Sequence, residues 1–341
     1  MTQLKLSKRY HTIGKPIKNA KPAPELYQIY KEFDEYQREN YSTLPVLCLC
    51  GNNNSYLIST VDREGWEYQL VICQSCGLIR TREYWDEKSV NDYYSNWYRK
   101  KYGAEEDPDK IYFNQAARSK SVWNYVSHFT NKFNGRYTVV DIGGGAGGKL
   151  DLFRNENNCY LFDFNKILLK KANSMGIKSY KGGIEQLHKI DEKPDLVILS
   201  HVLEHFTNVD KELKALISHL KTGSLLYIEL PGIDSLKHGR RGYDFLGDLH
   251  WPHVFYFSLN VLNNLMGRYG FSCVKSNTDI AALYEYTGHI IELENFHDSV
   301  SSLIKSAEIK RKLGFPSILQ LKYYISGILP RTLKDRIKKY L

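Results

Sequence analysis

One stretch, residues 139–148, constrains the fold of this chain more than any other. An apolar run ends in Asp141, and five glycines lie within residues 143–148. An apolar run followed by glycines is typical of a buried parallel strand that turns sharply into a helix. Because glycine has no Cβ, the backbone can adopt positive φ and a ligand can lie against it. The pattern predicts a strand over 137–142, a ligand-binding loop, and the first turn of a helix over 149–153, whose amide groups would face the ligand.

The glycine spacing alone does not identify the ligand. Gly143, Gly145 and Gly148 match the dinucleotide fingerprint G-x-G-x-x-G. Gly143, Gly145 and Gly147, with Asp141 two residues before the first of them, match a different loop that has no pyrophosphate to hold. Evidence from other parts of the chain must decide between the two.

Asp163 ends the second predicted strand, 159–163, and lies 20 residues after Gly143. A carboxylate at this position can accept hydrogen bonds from both ribose hydroxyls of an adenosine. It can also serve as the N-cap of the helix that follows. Enzymes that use nicotinamide and enzymes that use adenosylmethionine both have an acid here. Asp163 therefore indicates an adenosine-containing ligand without choosing between the two.

Two pairs of cysteines, Cys48 with Cys50 and Cys73 with Cys76, precede the glycine loop. Four thiolates in two close pairs can surround one zinc ion, and an ion with four protein ligands has a structural role. The C-x-C spacing of the first pair is tighter than usual, so one of its ligands could come from elsewhere. Four unligated thiols are the alternative. We predict a structural Zn²⁺ site.

The segment after the second cysteine pair carries the first resemblance to a known family. It contains Cys73-x-x-Cys76-Gly, then an acidic helix that ends in Tyr93 and Tyr94, and then Tyr98. This arrangement resembles the zinc-binding module fused ahead of many bacterial methyltransferases, of which sugar C-methyltransferases are one group.

A second resemblance covers residues 195–206, which read DLVILSHVLEHF. This segment is similar to strand four and its loop in class I S-adenosylmethionine-dependent methyltransferases. The resemblance implies an α/β fold, with a Rossmann-like seven-stranded sheet, helices on both faces, an antiparallel last strand and a small zinc ribbon in front. It also implies S-adenosylmethionine as the cofactor. Glu204 and His205 would be a structural pair that holds the loop, with a catalytic role as the alternative.

The same resemblance assigns residues to the cofactor. Asp141 would lie near the methionine amine, and Ser200 and His201 would border the methionine part. The implied cofactor-binding residues are Asp141, Gly143, Gly145, Gly147, Asp163, Phe164, Ile184, Glu185, Ser200 and His201. Gly183 stands where the family often has an Asp beside the adenine. The adenine contacts would therefore fall to backbone groups and Glu185.

Residues 250–271 resemble the His-x-x-Tyr-Phe-Ser…Gly-Phe segment of this methyltransferase group. In sugar C-methyltransferases a Tyr and a Glu precede this His and are proposed to help deprotonate the substrate. Here His250 and Pro252 occupy those positions, so C-methylation is not implied. His253, together with His250, is the candidate general base, because an imidazole with a pKa near neutrality can take a proton from a hydroxyl. The alternative for His253 is a hydrogen-bonded histidine that holds the loop.

The chain divides into four expected regions: a basic N-terminal arm over 1–44, a zinc-ribbon module with an aromatic linker over 45–102, a class I methyltransferase domain over 103–300, and a basic amphipathic tail over 301–341. The net charge of +9 resides at the two ends, which argues against a nucleic-acid-binding face on the body. The tail could contact a membrane surface or pack on the domain. With no signal peptide or membrane span evident, we expect a cytoplasmic protein. The sequence does not indicate an oligomeric state.

Three functions remain open at this point. The first is an S-adenosylmethionine-dependent methyltransferase that acts on a sugar, either nucleotide-linked or within a surface glycan, as in polysaccharide biosynthesis. The second is an NAD-dependent nucleotide-sugar oxidoreductase, which the glycines and Asp163 allow. The loop after strand four and the absence of a Tyr-x-x-x-Lys pair after that strand argue against it. The third is a non-catalytic zinc-ribbon scaffold, which Gly183 and the basic ends allow.

Overall fold

Two small antiparallel sheets and three helices surround the four paired cysteines. The computed structural model describes residues 2–17, 24–101 and 107–316. The elements of this first part are α1 (Pro24–Asn40), β1 (Thr43–Pro45), β2 (Ser55–Val61), β3 (Glu67–Cys73), β4 (Ile79–Thr81), β5 (Glu83–Trp85), α2 (Glu87–Asp92) and α3 (Tyr98–Lys101). Strand β3 starts by alternating exposed Glu67 and Gln69 with buried Tyr68 and Leu70, because successive side chains of a strand point to opposite faces.

A seven-stranded sheet forms the second part of the chain. Its elements are α4 (Pro108–Thr130), β6 (Thr138–Ile142), β7 (Asn158–Asp163), α5 (Lys166–Ser174), β8 (Lys178–Lys181), β9 (Leu196–Ser200), α6 (Val209–Ser218), β10 (Leu225–Glu229), β11 (Phe255–Tyr256), α7 (Leu259–Arg268), β12 (Phe271–Ser276), β13 (Ala281–Tyr286) and α8 (His297–Lys312). The strand order is β12-β13-β10-β9-β6-β7-β8. Strands β6 to β10 run parallel, and β13 runs antiparallel between β10 and β12.

The central strands are buried on both faces, which explains their apolar runs. Every residue of β6 and β9 is buried. The carboxyl ends of β6, β7 and β9 meet at one edge, where an open α/β sheet binds its ligands. The predicted α/β fold, with seven strands, flanking helices and an antiparallel last strand, is confirmed.

Two local predictions are wrong. The helix expected over 149–153 is absent, and only a 3-10 turn, Gly148–Leu150, follows the glycine loop. Residues 151–156 form turns instead, and strand β7 then starts at Asn158. The sequence also predicts a last strand over 281–293, but β13 ends at Tyr286, which pairs with Phe271 at the start of β12, so β12 offers no partner beyond it.

The chain crosses between its two parts in the segment before α7. Strand β11 lies after β10 in the chain, yet it pairs with β4 of the first part, with Phe255 opposite Arg80 and Tyr256 opposite Ile79. The segment predicted to carry the candidate base therefore continues into an edge strand of the cysteine-containing sheet.

The two expected basic ends pack against each other where the structure describes them. Tyr10 is fully buried, and Arg9 lies within ion-pair distance of Glu308 on α8. Ser7 donates a 2.5 Å hydrogen bond to the same carboxylate. Most of the predicted tail, 317–341, lies outside the described residues. Among the described helices, none is both long and apolar enough to cross a bilayer.

Candidate active site

The glycine loop after β6 forms a cradle that side chains would fill. Gly143, Gly145 and Gly147 have positive φ angles of 66°, 61° and 82°. A Cβ on Gly143 would lie 2.7 Å from the Val202 side chain, and one on Gly145 would lie 2.7 Å from Gln115. Neither contact is possible for a larger residue without movement of its neighbour. The loop therefore requires glycine for both its conformation and its close approaches.

Asp141 lies directly beneath this cradle. Its side chain is fully buried, and neither carboxylate oxygen accepts a hydrogen bond from the described residues. A Cβ on Gly144 would lie 2.2 Å from Asp141 Oδ2, so the carboxylate occupies the space that a missing side chain leaves. Burial raises the pKa of Asp141 to about 6, although nearby Lys149 lowers it in part. An unpartnered buried carboxylate is suited to a cationic group of a bound ligand.

Asp163 joins the tip of β7 to the glycine loop. Its Oδ2 accepts a hydrogen bond from the Gly145 amide at 2.9 Å, and its Oδ1 accepts one from the Asn165 amide at 2.8 Å. The alternative role as a helix N-cap falls to Asn165 instead, whose side chain accepts from the amides of Ile167 and Leu168. Each Asp163 oxygen keeps lone pairs for a ligand.

The turn after β8 is only partly open to a ligand. Ile184 is buried in the core, whereas Glu185 is exposed and accepts a 2.9 Å hydrogen bond from the Gly183 amide. The ring of Phe164 is 60% exposed and lies 3.8 Å from where a Gly183 Cβ would be. Phe164, Gly183 and Glu185 thus form one exposed edge, and Ile184 supports it from behind.

Ser200 and His201 form the tip of β9. The Ser200 hydroxyl donates a 2.7 Å hydrogen bond to Glu229 at the end of β10. His201 has a positive φ of 58°, a conformation unusual for a residue with a Cβ, and its side chain is 43% exposed. Strained backbone of this kind persists where the surrounding structure holds it, often at functional sites. Val202 then brings this turn against Gly143.

Three side chains at this edge were not predicted from the sequence. Arg118 donates a 2.6 Å hydrogen bond to Glu229, and Gln115 accepts a 3.3 Å bond from the Gly148 amide. Burial raises the pKa of Glu229, but the Ser200 hydrogen bond and the Arg118 charge outweigh it, so the net pKa is lowered. Residues three apart share one face of a helix, so the Gln115–Arg118 spacing on α4 was an available signal.

A cluster of histidines surrounds the buried carboxylate of Glu204. Glu204 is 1% exposed, and its Oε1 lies 3.5 Å from His201 Nδ1 and 3.9 Å from His205 Nε2. The ring centroids of His205 and His253 are 4.8 Å apart, and those of His250 and His253 are 4.0 Å apart. The structure thus brings both candidate base residues together with the predicted structural pair.

Burial dominates the electrostatics of this cluster. It lowers the pKa of His253 well below the usual range, and the charges of His250 and His205 lower it further. Burial likewise lowers the pKa of His250. Both rings are therefore neutral at pH 7 and can act as hydrogen-bond acceptors or as ligands.

Tyr68 of β3 holds the segment that carries these histidines. Its hydroxyl donates a 2.5 Å hydrogen bond to the His253 carbonyl and lies 2.9 Å from the Tyr256 hydroxyl. Tyr256 in turn accepts a 3.1 Å bond from the His250 amide. The side-chain contacts of β11 with the first sheet therefore set the position of both histidines.

The four paired cysteines meet in a separate cluster. Their sulfurs lie within 4.8 Å of one another, and the separations are 3.5 Å for Cys48–Cys76, 3.5 Å for Cys48–Cys50 and 3.6 Å for Cys50–Cys73. Sulfurs that each lie about 2.3 Å from one tetrahedral zinc ion are separated by about 3.8 Å. The amides of Asn52 and Ser75 point at the sulfurs of Cys50 and Cys73. This donor set could hold a zinc ion with no position left for a substrate.

Comparison with known proteins relates the part of the chain that forms most of the large sheet to a family. Residues 112–276 match the model of a family described as a methyltransferase domain. No curated protein matches the chain in sequence.

Solved structures with a similar fold have different substrates. The plantazolicin methyltransferase BamL, solved with S-adenosylhomocysteine (SAH), is 18% identical, with 63% of this chain and 87% of that chain covered and a TM-score of 0.40. Magnesium protoporphyrin IX methyltransferase from Synechocystis PCC 6803 is 17% identical over 59% of this chain and 100% of that chain, with a TM-score of 0.40. CalS10, an amino pentose methyltransferase from Micromonospora echinaspora, is 13% identical, with 51% of this chain and 92% of that chain covered and a TM-score of 0.40. Similarity at this level gives no argument about the acceptor.

The sheet order, the glycine cradle over Asp141 and the family match all concern the same part of the chain. Residues 112–276 form a methyltransferase domain.

Proposed function

We propose that this enzyme transfers the methyl group of S-adenosylmethionine to a hydroxyl of a sugar, nucleotide-linked or part of a surface glycan. The observation that carries this proposal is the polar cluster of Glu204, His205 and His253. It lies next to the carboxyl edge of the sheet, where the cofactor would bind. It offers the neutral imidazole of His253 and a carboxylate beside the His201 turn, which suits an acceptor that must lose a proton.

The residues that would hold the cofactor lie along the carboxyl edge of the sheet. Asp141 would pair with the methionine ammonium, since its buried carboxylate has no other partner among the described residues. Gly143, Gly145 and Gly147 would allow close backbone approach, and Ser200 and His201 would border the methionine part. The cofactor supplies a methyl group already activated by a positively charged sulfur.

The adenosine would extend toward β7 and β8. Asp163 would accept hydrogen bonds from the ribose hydroxyls with the lone pairs that remain free. The exposed ring of Phe164 would stack on the adenine, with Glu185 at its edge and Ile184 supporting the turn. The family often has an Asp where this chain has Gly183, and no other side chain of this turn would take its place.

The acceptor would enter beside His201, the exposed member of the cluster. His253 would accept the proton of the attacking hydroxyl, with His250 behind it. Its lowered pKa makes it a weak base, so the methyl transfer and the proton transfer must be closely coupled. The chain's contribution is otherwise to align the acceptor and exclude bulk water.

We also propose that Cys48, Cys50, Cys73 and Cys76 hold a structural zinc ion. The support is the arrangement of the four sulfurs and the two amides that point at them. Because all four positions would be protein ligands, this ion would stabilise the fold and take no part in methyl transfer.

A thermal-shift experiment tests the cofactor assignment. SAH and S-adenosylmethionine should both raise Tm, NAD should not, and Asp163→Ala should reduce the shift. A response to NAD alone would overturn the assignment and favour the nucleotide-sugar oxidoreductase.

An acceptor screen tests the sugar. The enzyme with labelled S-adenosylmethionine should transfer one methyl group to a nucleotide sugar or glycan, detected by mass spectrometry. His253→Gln should lower kcat much more than it changes the affinity for SAH. Tight cofactor binding without transfer to any sugar would instead support a binding scaffold.

A further inference from the structure

We propose that Glu204, His205 and His253 bind a divalent first-row transition metal ion next to the cofactor edge, at a site distinct from the four cysteines. One ligand atom from each of the three residues lies within 4.8 Å of the other two. Two histidines and one carboxylate are a common ligand set for Zn²⁺ and Fe²⁺, and three protein ligands leave positions open for a substrate.

The first argument is the state of the Glu204 carboxylate. Its side chain is 1% exposed, and neither oxygen accepts a hydrogen bond from the described residues. The ion pairs within the described residues give it no lysine or arginine, only His201 and His205. A buried carboxylate without hydrogen bonds or a cation is costly, whereas a bound metal ion would satisfy it.

The second argument is the orientation of His205. Its Nδ1 donates a 2.6 Å hydrogen bond to the Pro252 carbonyl. In the neutral ring the Nε2 lone pair then faces Glu204 Oε1 across 3.9 Å, so two acceptors point into one space. Ligand atoms that each lie about 2.1 Å from one ion are separated by about 3–4 Å. Metal-bound histidines commonly donate their other nitrogen to a carbonyl in this way.

The third argument is access. The His205 side chain is 23% exposed and that of His201 is 43% exposed, so the cluster can be reached from outside the fold. Val202, between them, touches Gly143 of the glycine cradle. If the proposed acceptor binds here, an ion in this cluster would polarise its hydroxyl. His253 would then act as a ligand and not as the free base. Only this role for the ion rests on the proposed function.

Metal content of the full chain tests the site. After loading with Zn²⁺ and gel filtration, wild type should retain two ions per chain, measured by elemental mass spectrometry. Glu204→Gln and His253→Gln should each retain one, while His128→Gln, on an exposed histidine of α4, should retain two. A wild-type content of one ion per chain, or two ions in Glu204→Gln, would overturn the inference.

Cobalt spectroscopy decides the case even if the variants misfold. Wild type loaded with Co²⁺ should show intense thiolate charge-transfer bands from the cysteine site and weaker visible bands from a nitrogen and oxygen site. Thiolate bands alone would overturn the inference. Because neither measurement needs an acceptor, a second ion without sugar methylation would refute only the proposed acceptor, and methylation without a second ion would refute only this site.

Discussion

At the scale of single residues, the carboxyl edge of the sheet contains two features that lower the stability of the folded protein. Asp141 is buried without a hydrogen bond from the described residues, and His201 adopts a positive φ. Unpaired buried groups and strained backbone each cost about 1–3 kcal/mol. Both lie beside the glycine loop, where a ligand would compensate them. We infer that the unliganded enzyme is less stable than its core alone would allow.

Asp141→Asn should reveal this cost through its pH dependence. The folded-state pKa of about 6 lies above the unfolded value of 3.8, so the folded protein binds more protons between them. The stability of wild type therefore falls as pH rises through this range, and the neutral variant does not share this fall. Between pH 5 and pH 7 the difference in unfolding free energy should shift by about 1 kcal/mol in favour of Asp141→Asn. Urea unfolding of the unliganded protein measures it.

The same variant should bind SAH about 10-fold or more weakly, because it loses a charge-assisted contact with the amine. Asp298→Asn, an exposed carboxyl at the start of α8, is the control and should change neither property. Unchanged SAH affinity in Asp141→Asn would contradict the assignment of this carboxylate to the amine.

At the scale of elements, the two-residue strand β11 determines the part of the site where the proposed acceptor would bind. Strand β11 pairs with β4, and Tyr68 of β3 bonds to the His253 carbonyl and the Tyr256 hydroxyl. So short a strand is not stable by itself. Its position depends on the first sheet, and so does the position of His250 and His253, which precede it in the chain.

Tyr68→Phe should loosen this segment. The substitution removes a buried hydroxyl and leaves the His253 carbonyl without its donor, which should lower the unfolding free energy by about 1–3 kcal/mol. Since the cofactor residues lie on other strands, SAH affinity should change less than about 2-fold while methyl transfer falls. Urea unfolding and calorimetric titration measure the two effects. Tyr180→Phe, on edge strand β8, is the control, and equal losses in both variants would refute a specific role for Tyr68.

At the scale of the whole molecule, the cysteine cluster and the methyltransferase sheet are linked by more than β11. His297 at the start of α8 bonds to the Cys73 carbonyl at 3.0 Å, and Arg268 of α7 donates to the Leu49 carbonyl. Asn295 donates to the Gln74 carbonyl at 3.1 Å. The loops that carry the cysteines thus contact two helices of the large domain. We expect the two parts to unfold together.

Loss of the proposed zinc ion should therefore destabilise the whole protein. Cys76→Ser should lower Tm by at least about 5 °C in a single transition, because zinc binding contributes directly to folding. Differential scanning calorimetry and SAH titration check this expectation. Cys273→Ser replaces an exposed thiol and should leave Tm unchanged. Two separate transitions, with the SAH-stabilised one unaffected by Cys76→Ser, would show that the parts unfold independently.

The sequence predicted the elements whose signals are local. The central parallel strands β6 and β9 are apolar runs that end at a glycine or a polar turn, and burial on both faces requires just such a run. A serine immediately before an apolar helical segment is likewise a local signal, and the Ser258 hydroxyl caps α7 by accepting a bond from the Val261 amide. The helix expected after the glycine loop was wrong: the chain forms a 3-10 turn and then further turns before β7.

By itself, therefore, the sequence determined the central strands β6 and β9, the glycine loop after β6 and the two close cysteine spacings, because each depends on residues close together in the chain. Only the tertiary structure decided that Arg118 reaches Glu229, and that His253 meets Glu204 and His205. The last contact exists because β11 leaves the large domain to pair with β4. Side chains so far apart in sequence come together only through such packing, and no local pattern of residues encodes it.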